Sequence, residues 1–175
     1  MILQKFLRAN ANDIPKAYSQ LHDTLVWRKS FFSGASSEST KGWHDSKFAG
    51  MGYVSVLSLP NHEHTTVVSW NVYGATSNMK RTFGDLSEFI RWRVALMERS
   101  LQLMDLSSAT TPIPDYGQGE DPYLGIQVHD YKGTSFLRMP GEVKAASKKT
   151  IELFARYYPE TLGRKYFVNV PGFMG

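Results

Sequence analysis

Apolar strands alternate with amphipathic helices along this chain, and that order limits the fold to a sheet packed against helices. Strands are predicted at about 52–59, 66–73, 124–131, 134–139 and 165–170, and helices at about 13–32, 85–106 and 142–157. The near-continuous apolar segment YVSVLSL is typical of a buried strand with parallel neighbours. We therefore expect one α/β domain.

Two segments lead to more specific expectations about local structure. The helix at 13–32 can be capped by Asn12 or Asp13, and its apolar stripe consists of Ile14, Ala17, Leu21 and Leu25. The segment 107–123 contains three prolines and two glycines. It is predicted to form an exposed connection within the domain.

The composition excludes several classes of site. The 175 residues include no cysteine, which rules out zinc–thiolate sites, iron–sulfur clusters, thiol nucleophiles and covalently attached c-type haem. The formal charge of +4 favours an anionic membrane surface, and no basic run resembles a nucleic-acid-binding arm. No signal peptide or bilayer-spanning stretch is evident, so we expect a cytoplasmic protein that does not bind nucleic acid.

One arginine lies on an apolar helix face. Arg93 falls within the stripe of the helix at 85–106 that is formed by Leu86, Phe89, Ile90, Met97, Leu101 and Met104. A buried guanidinium requires an anion. Taken alone, a structural ion pair with an internal carboxylate, or extension of the side chain to solvent, is the more ordinary interpretation.

Polar side chains also recur on single faces of the predicted strands. Alternation places three sets on common faces, namely Ser69, Asn71 and Tyr73; Gln127, His129 and Tyr131; and Lys165, Phe167 and Asn169. Each residue alone is most simply a hydrogen-bonded core side chain. Their concentration argues for a cavity with a partly polar ligand, although the sequence leaves open whether the three faces coincide.

The end of the chain resembles a known family. YYPETLG at 157–163, followed by YFVNVP at 166–171, resembles the YPE-x-x-G…N-x-P signature of CRAL-TRIO lipid-binding domains. The resemblance implies a mixed, mostly parallel sheet with flanking helices around an internal cavity. It also implies a boundary, with 1–32 as the end of the family's N-terminal helical segment and 43–175 as the lipid-binding domain, truncated at its C-terminus.

Further segments resemble one fungal branch, the non-classical phosphatidylinositol transfer proteins that bind haem. These segments are SWNVYG, FIRWRVALME, IQVHDYKG and ARYYPETLGRKYFVNVP. The general family pattern has apolar residues where this chain has Tyr73, His129 and Tyr131. The resemblance implies that Tyr131 is the axial ligand of a ferric haem b, and that Tyr73, Arg93, His129 and Lys165 contact the haem. Tyrosinate favours ferric iron, and the two cations would face propionates.

The resemblance also implies lipid binding. Glu160 matches a residue of the family's phosphatidylinositol headgroup site. We therefore expect a haem-binding protein with phosphatidylinositol transfer activity, peripheral to endoplasmic reticulum membranes, acting in phosphoinositide homeostasis or the oxidant stress response. The alternatives are an ordinary phosphatidylinositol transfer protein without physiological haem, a haem-dependent enzyme and a non-catalytic interaction domain. A carrier rather than an enzyme is the expectation, because no acid/base pair is evident.

Overall fold

The computed structural model describes residues 1–33, 47–58, 65–76, 78–134 and 141–170. The helices are α1 (Ile2–Ala9), α2 (Ile14–Phe32), α3 (Met79–Phe83), α4 (Leu86–Met104) and α5 (Gly141–Tyr157). The strands are β1 (Gly52–Leu57), β2 (Thr66–Val72), β3 (Gly125–Asp130) and β4 (Leu162–Val168), and a 3₁₀ turn covers Tyr73–Ala75. The three predicted helices are confirmed to within two residues at either end. The strand predicted at 134–139 lies almost wholly outside the described residues.

The sheet has the strand order β1-β2-β3-β4. β1 and β2 pair antiparallel, whereas β2–β3 and β3–β4 pair parallel. α4 lies between β2 and β3 in the chain, and α5 lies between β3 and β4, as crossover connections of parallel strands require. The expected mixed, mostly parallel sheet with flanking helices is confirmed. The prediction that YVSVLSL is a buried strand with parallel neighbours is wrong, because β1 pairs antiparallel with β2 and its Tyr53, Val56 and Leu57 are exposed. The last strand begins three residues earlier than the sequence predicts.

The side of α2 that faces the protein differs from the prediction. Ile14 and Leu25 of the predicted stripe are 70% and 58% exposed, whereas Ala17 and Thr24 are buried. Trp27 marks the packed side, because its ring stacks on Tyr157 at 4.3 Å. Aromatic contact with α5, rather than aliphatic spacing, therefore sets the rotation of α2. Asp13 caps the helix as predicted, accepting a hydrogen bond from the backbone N–H of Lys16 at 3.0 Å.

The connection 107–123 is not wholly exposed as predicted, because α1 holds part of it. Lys5 is 3% exposed, and its Nζ donates to Asp121 Oδ2 at 2.7 Å, Tyr123 O at 3.0 Å and Glu160 O at 2.7 Å. All three ammonium donors are thus satisfied. Burial lowers the pKa of Lys5, although Asp121 opposes this shift. This contact, the Lys5 clasp, joins α1 to the connection and to the turn that carries Glu160.

Candidate ligand cavity

A cavity of about 570 Å³ lies between the sheet and the helices α4 and α5. This volume is typical of small-molecule sites. All six site residues predicted from the sequence line it, namely Tyr73, Arg93, His129, Tyr131, Glu160 and Lys165. The apolar part of the wall includes Phe89, Met97, Ile151, Phe154 and Leu162. The structure therefore brings together residues that span 93 positions of the sequence, from 73 to 165.

Strand register explains why the polar faces coincide. Ser69 pairs with Gln127, which pairs with Lys165, and Asn71 pairs with His129, which pairs with Phe167. Side chains that are directly opposite across a sheet point to the same side. The question that the sequence leaves open is thus answered, since the three faces share one side of the sheet.

Three of the nine predicted face residues do not line the cavity. Ser69 hydrogen-bonds to Ser100 of α4, with the two hydroxyl oxygens 2.6 Å apart. Asn71 donates from Nδ2 to the carbonyl oxygen of Val128 at 3.1 Å. Asn169 follows β4 with a φ of 54° and donates to Asp130 Oδ1 at 2.7 Å. These residues support the sheet and its edges.

A 3₁₀ turn positions Tyr73, which the sequence placed at the end of a strand. The turn approaches the segment after β3 so closely that a Cβ on Gly74 would lie 1.7 Å from the carbonyl oxygen of Lys132. This approach brings the Tyr73 ring to 5.1 Å from the ring of Tyr131. The hydroxyl oxygen of Tyr73 lies 2.8 Å from Nδ1 of His129. The absence of a side chain at Gly74 therefore permits the contact between two strand ends.

His129 is a buried, neutral imidazole. Burial, assisted by the charges of Arg93 and Lys165, lowers its pKa to about 3. Its Nε2 atom is inaccessible to solvent and has no hydrogen-bond partner among the described residues. The ring also stacks on Phe167, with the centroids 5.2 Å apart. The imidazole therefore contacts Tyr73 and Phe167, and its Nε2 is left without a partner among the described residues.

Arg93 is buried without a counterion in the described part of the chain. The residue is 4% exposed, and its Nη1 atom has no hydrogen-bond partner there. Burial lowers its pKa. The guanidinium lies 5.6 Å from the centroid of the Phe154 ring and 5.7 Å from that of Trp92. Among the described residues the side chain forms no ion pair, and it does not reach solvent, so neither ordinary interpretation fits Arg93 there.

A second arginine shows how this fold satisfies a structural guanidinium. Arg28 of α2 binds both carboxylate oxygens of Glu98, with Nη2 3.0 Å from Oε2. Tyr158 donates its hydroxyl to the same carboxylate at 2.6 Å. Arg28 therefore has a built partner, and the contrast makes the unpaired state of Arg93 informative.

The remaining polar groups lie at different parts of the cavity. Tyr131 is half-buried, and burial raises the pKa of its phenol. Lys165 is exposed at the edge strand, and partial desolvation together with the Arg93 charge lowers its pKa. Glu160 has a φ of 52°, and its Oε2 lies 3.4 Å from Nε of Arg8. Arg93 and Lys165 thus place two cations in the cavity, whereas the one carboxylate among the described lining residues, Glu160, is already paired with Arg8.

Sequence reasoning missed the wall that α5 contributes. Ser147, Thr150, Ile151 and Phe154 all line the cavity. Their spacing is i, i+3, i+4 and i+7, the pattern of one helix face. This periodicity could have identified them, but only with knowledge of which face of α5 meets the sheet. Among the described residues no group of three histidine or acidic side chains could hold a bare metal ion. None of the described helices could span a membrane.

The depressed pKa of His129 predicts acid sensitivity. Between pH 6.5 and about 3 the unfolded chain binds a proton at this site that the folded chain does not. The buried imidazole therefore has little effect on the free energy of unfolding above pH 6.5, and it lowers that free energy as the pH falls below 6.5. From pH 7 to pH 5 the unfolding free energy should fall about 2 kcal/mol more in the parent chain than in His129→Gln. Urea unfolding at both pH values measures the difference, and the exposed His22→Gln is the control, expected to follow the parent.

Comparison with known proteins adds an independent finding. The CRAL/TRIO domain pattern matches residues 54–174. Phosphatidylinositol transfer protein SFH5 of Phaeosphaeria nodorum is 54% identical over 177 residues, which cover 100% of this chain and 53% of that protein. Phosphatidylinositol transfer protein sfh5 of Botryotinia fuckeliana is 49% identical over 175 residues, covering 100% of this chain and 39% of that protein. The chain thus spans about half the length, or less, of these curated relatives.

A solved structure is similar as well. The structure described as "Crystal structure of Sfh5" superposes with a TM-score of 0.78 at 32% sequence identity. The alignment covers 99% of this chain and 56% of that chain. The described sheet and helices therefore correspond to about half of the solved protein.

Proposed function

Because this chain belongs to the CRAL/TRIO domain family, we propose that its cavity binds and transfers phosphatidylinositol and also holds a ferric haem b. The family membership and fold that the sequence predicted are confirmed. Two similar curated proteins are named as phosphatidylinositol transfer proteins, which supports the lipid part of the proposal. The haem part is supported by the chemistry of the cavity and by the branch resemblance.

The unpaired Arg93 is the observation that carries the proposal. A buried guanidinium that has no carboxylate partner among the described residues is stabilised by an anionic group supplied by a ligand. Lys165, whose pKa is lowered partly by the charge of Arg93, adds a second cation. A haem propionate and a lipid phosphate both carry the required charge. Both ligands would also place apolar groups against the wall formed by α4 and α5.

The residues present fit a haem. Tyr131 would hold the iron through its phenolate oxygen, and Arg93 and Lys165 would face the propionates. A ferric haem bound there would supply a Lewis-acidic, redox-active iron. Burial raises the pKa of the Tyr131 phenol, so this group holds its proton in the free chain and must release it when it becomes a ligand. The unpartnered Nε2 of His129 lies within the same lining.

The lipid role uses the apolar wall of the cavity together with Glu160. We propose that acyl chains lie along the α4 and α5 side chains and that Glu160 takes part in headgroup recognition. Transfer would extract the lipid at a membrane surface without covalent chemistry, with the protein cytoplasmic and peripheral to endoplasmic reticulum membranes. Phosphoinositide homeostasis or the oxidant stress response is the proposed setting. An ordinary phosphatidylinositol carrier that lacks physiological haem is the second candidate.

The visible absorption spectrum beside Tyr131→Phe tests the haem proposal. We expect the purified or hemin-loaded chain to show a high-spin ferric tyrosinate spectrum, and Tyr131→Phe to lose it, because phenylalanine offers no ligand oxygen. Tyr166→Phe is the matched control. Tyr166 follows Lys165 in β4, is exposed and does not line the cavity, so its removal should leave the spectrum unchanged.

The same samples separate the two candidates. A colourless chain that takes up no added hemin, yet exchanges phosphatidylinositol between vesicles, would favour the ordinary lipid carrier. A spectrum that is identical in Tyr131→Phe and the parent would contradict the assignment of Tyr131 as ligand.

A further inference from the structure

We propose that Tyr73 is a positioning residue that fixes His129 in the tautomer with the proton on Nε2, so that His129 presents an N–H donor to the bound ligand. The tautomer follows from the geometry of the free chain. The identity of the acceptor in the bound state rests on the proposed function. His129 then acts toward the ligand as a donor of a hydrogen bond and not as a nitrogen ligand of the iron.

The contact between the two rings is specific. The Tyr73 oxygen lies 2.8 Å from Nδ1 of His129, and the rings are offset-stacked with centroids 5.7 Å apart and planes at 29°. The imidazole also stacks on Phe167, with the centroids 5.2 Å apart. A ring in contact with two aromatic neighbours cannot turn over to exchange its nitrogens without displacing one of them. Nδ1 therefore faces Tyr73, and Nε2 remains the free nitrogen.

The number of donors and acceptors fixes the direction of the hydrogen bond between Tyr73 and His129. A neutral imidazole has one N–H and one acceptor nitrogen, and a phenol has one O–H. If Tyr73 donates to Nδ1, only the Nε2–H lacks a partner among the described residues. If Nδ1–H donates to Tyr73, the phenol proton and the Nε2 lone pair both lack one. Buried polar groups without partners are costly, so the first arrangement is favoured.

This direction makes the inner polar end of the cavity a set of donors. The Nε2–H of His129, the free Nη1 of Arg93 and the ammonium of Lys165 can all donate to a ligand. The atom that meets His129 is thus an anionic oxygen. A carboxylate and a phosphate both supply this chemistry.

Nitrogen-15 NMR of the imidazole groups in the ligand-free chain tests the tautomer directly. We expect the parent to show a protonated Nε2 and an unprotonated Nδ1 at His129. Tyr73→Phe, which removes only the hydroxyl, should show a mixture of the two tautomers. Tyr53→Phe is the matched control, because Tyr53 is exposed on β1 and stacks on Trp70 outside the cavity. This variant should retain the parent spectrum.

Two results would overturn the proposal. A parent spectrum with the proton on Nδ1 would show that Tyr73 accepts, and this result requires no variant to fold. A Tyr73→Phe spectrum that matches the parent would show that another group sets the tautomer. A structural role for Tyr73 alone would lower stability without shifting the proton between the ring nitrogens.

Ligand titrations test the consequence separately. Loss of the hydrogen bond that a correctly oriented imidazole donates is expected to weaken binding about tenfold. Hemin and phosphatidylinositol vesicles are titrated into the parent, Tyr73→Phe and Tyr53→Phe, and a tenfold loss is expected in Tyr73→Phe alone. Comparison of the hemin titration with the vesicle titration shows whether His129 donates to a carboxylate or to a phosphate. If the parent binds neither probe, the proposed function fails, while the NMR result still decides the tautomer. Equal affinities in all three proteins would overturn the role toward the ligand.

Discussion

Arg93→Met should make the ligand-free chain more stable, by about 1–4 kcal/mol. The parent holds a guanidinium that is buried, carries an unpaired Nη1 and has no described carboxylate beside it. Methionine fills a similar volume and packs against Phe154 without the cost of desolvating a charge. Chemical unfolding of the two ligand-free proteins measures the change. A stability gain from removing a charge is the signature of a group kept for binding rather than for folding.

The same substitution should weaken binding of hemin or phosphatidylinositol vesicles at least about 30-fold. Removing one partner of a buried charge pair costs roughly 2–5 kcal/mol, because the anion of the ligand then enters the cavity without its counterion. Lys165 remains, but it is exposed and contributes less. Titration of both probes into the parent and the variant measures the loss. The two effects have opposite signs, so a variant that merely misfolds cannot reproduce them.

Arg28→Met is the matched control for Arg93→Met. Arg28 is bonded to both oxygens of Glu98, so its removal leaves a partly buried carboxylate without its cation. We expect lower stability and unchanged ligand affinity. If Arg93→Met lowers stability as Arg28→Met does, Arg93 is a structural residue and the argument for an anionic ligand fails.

Gly74→Ala should lower the unfolding free energy by about 4 kcal/mol, a large effect for one methyl group. The added Cβ would lie 1.7 Å from the carbonyl oxygen of Lys132, and that atom belongs to the backbone, so no side chain can move aside. The 3₁₀ turn must then leave the segment after β3, which separates Tyr73 from His129. Urea unfolding measures the stability, and hemin titration measures the damage to the cavity.

Gly141→Ala is the control for this prediction. Gly141 begins α5, and apart from its chain neighbours and its own helix backbone a Cβ there meets no described atom within 4 Å. Alanine is a better helix former than glycine, so this variant should be as stable as the parent or slightly more stable. Equal stability of Gly74→Ala and Gly141→Ala would contradict the close approach of the turn to Lys132.

The sheet and the polar faces of its strands could be predicted from the sequence because both depend on local periodicity. Alternation in β3 placed Gln127 and His129 on one face, and the structure shows that parallel pairing brings Lys165 to the same side of the sheet. The family resemblance identified Tyr131 and Glu160 as site residues, and the structure places both in the lining. What they bind stays a prediction, as do the boundaries at 1–32 and 43–175.

Features that depend on contacts between distant segments could not be predicted. The stripe of Ile14 and Leu25 satisfies helical periodicity, yet α2 turns its Trp27 side inward because Tyr157 offers a stacking partner there. The missing counterion of Arg93 is likewise a property of the assembled interior. The composition of 107–123 predicts a surface connection. Nothing in the local sequence indicates that Asp121 pairs with Lys5, which lies 116 residues away.

The Lys5 clasp couples the opening of α1 to distant parts of the chain. α1 has only eight residues, too few for a stable helix by itself in water. Its order therefore depends on partners that follow it by 116 and 155 residues. Short helices ordinarily fray and exchange their amide protons early, but opening α1 breaks the contacts of Lys5 to Asp121 and to the turn that carries Glu160. Slow amide exchange in the first residues of the chain would thus indicate that the opposite end of the domain has folded.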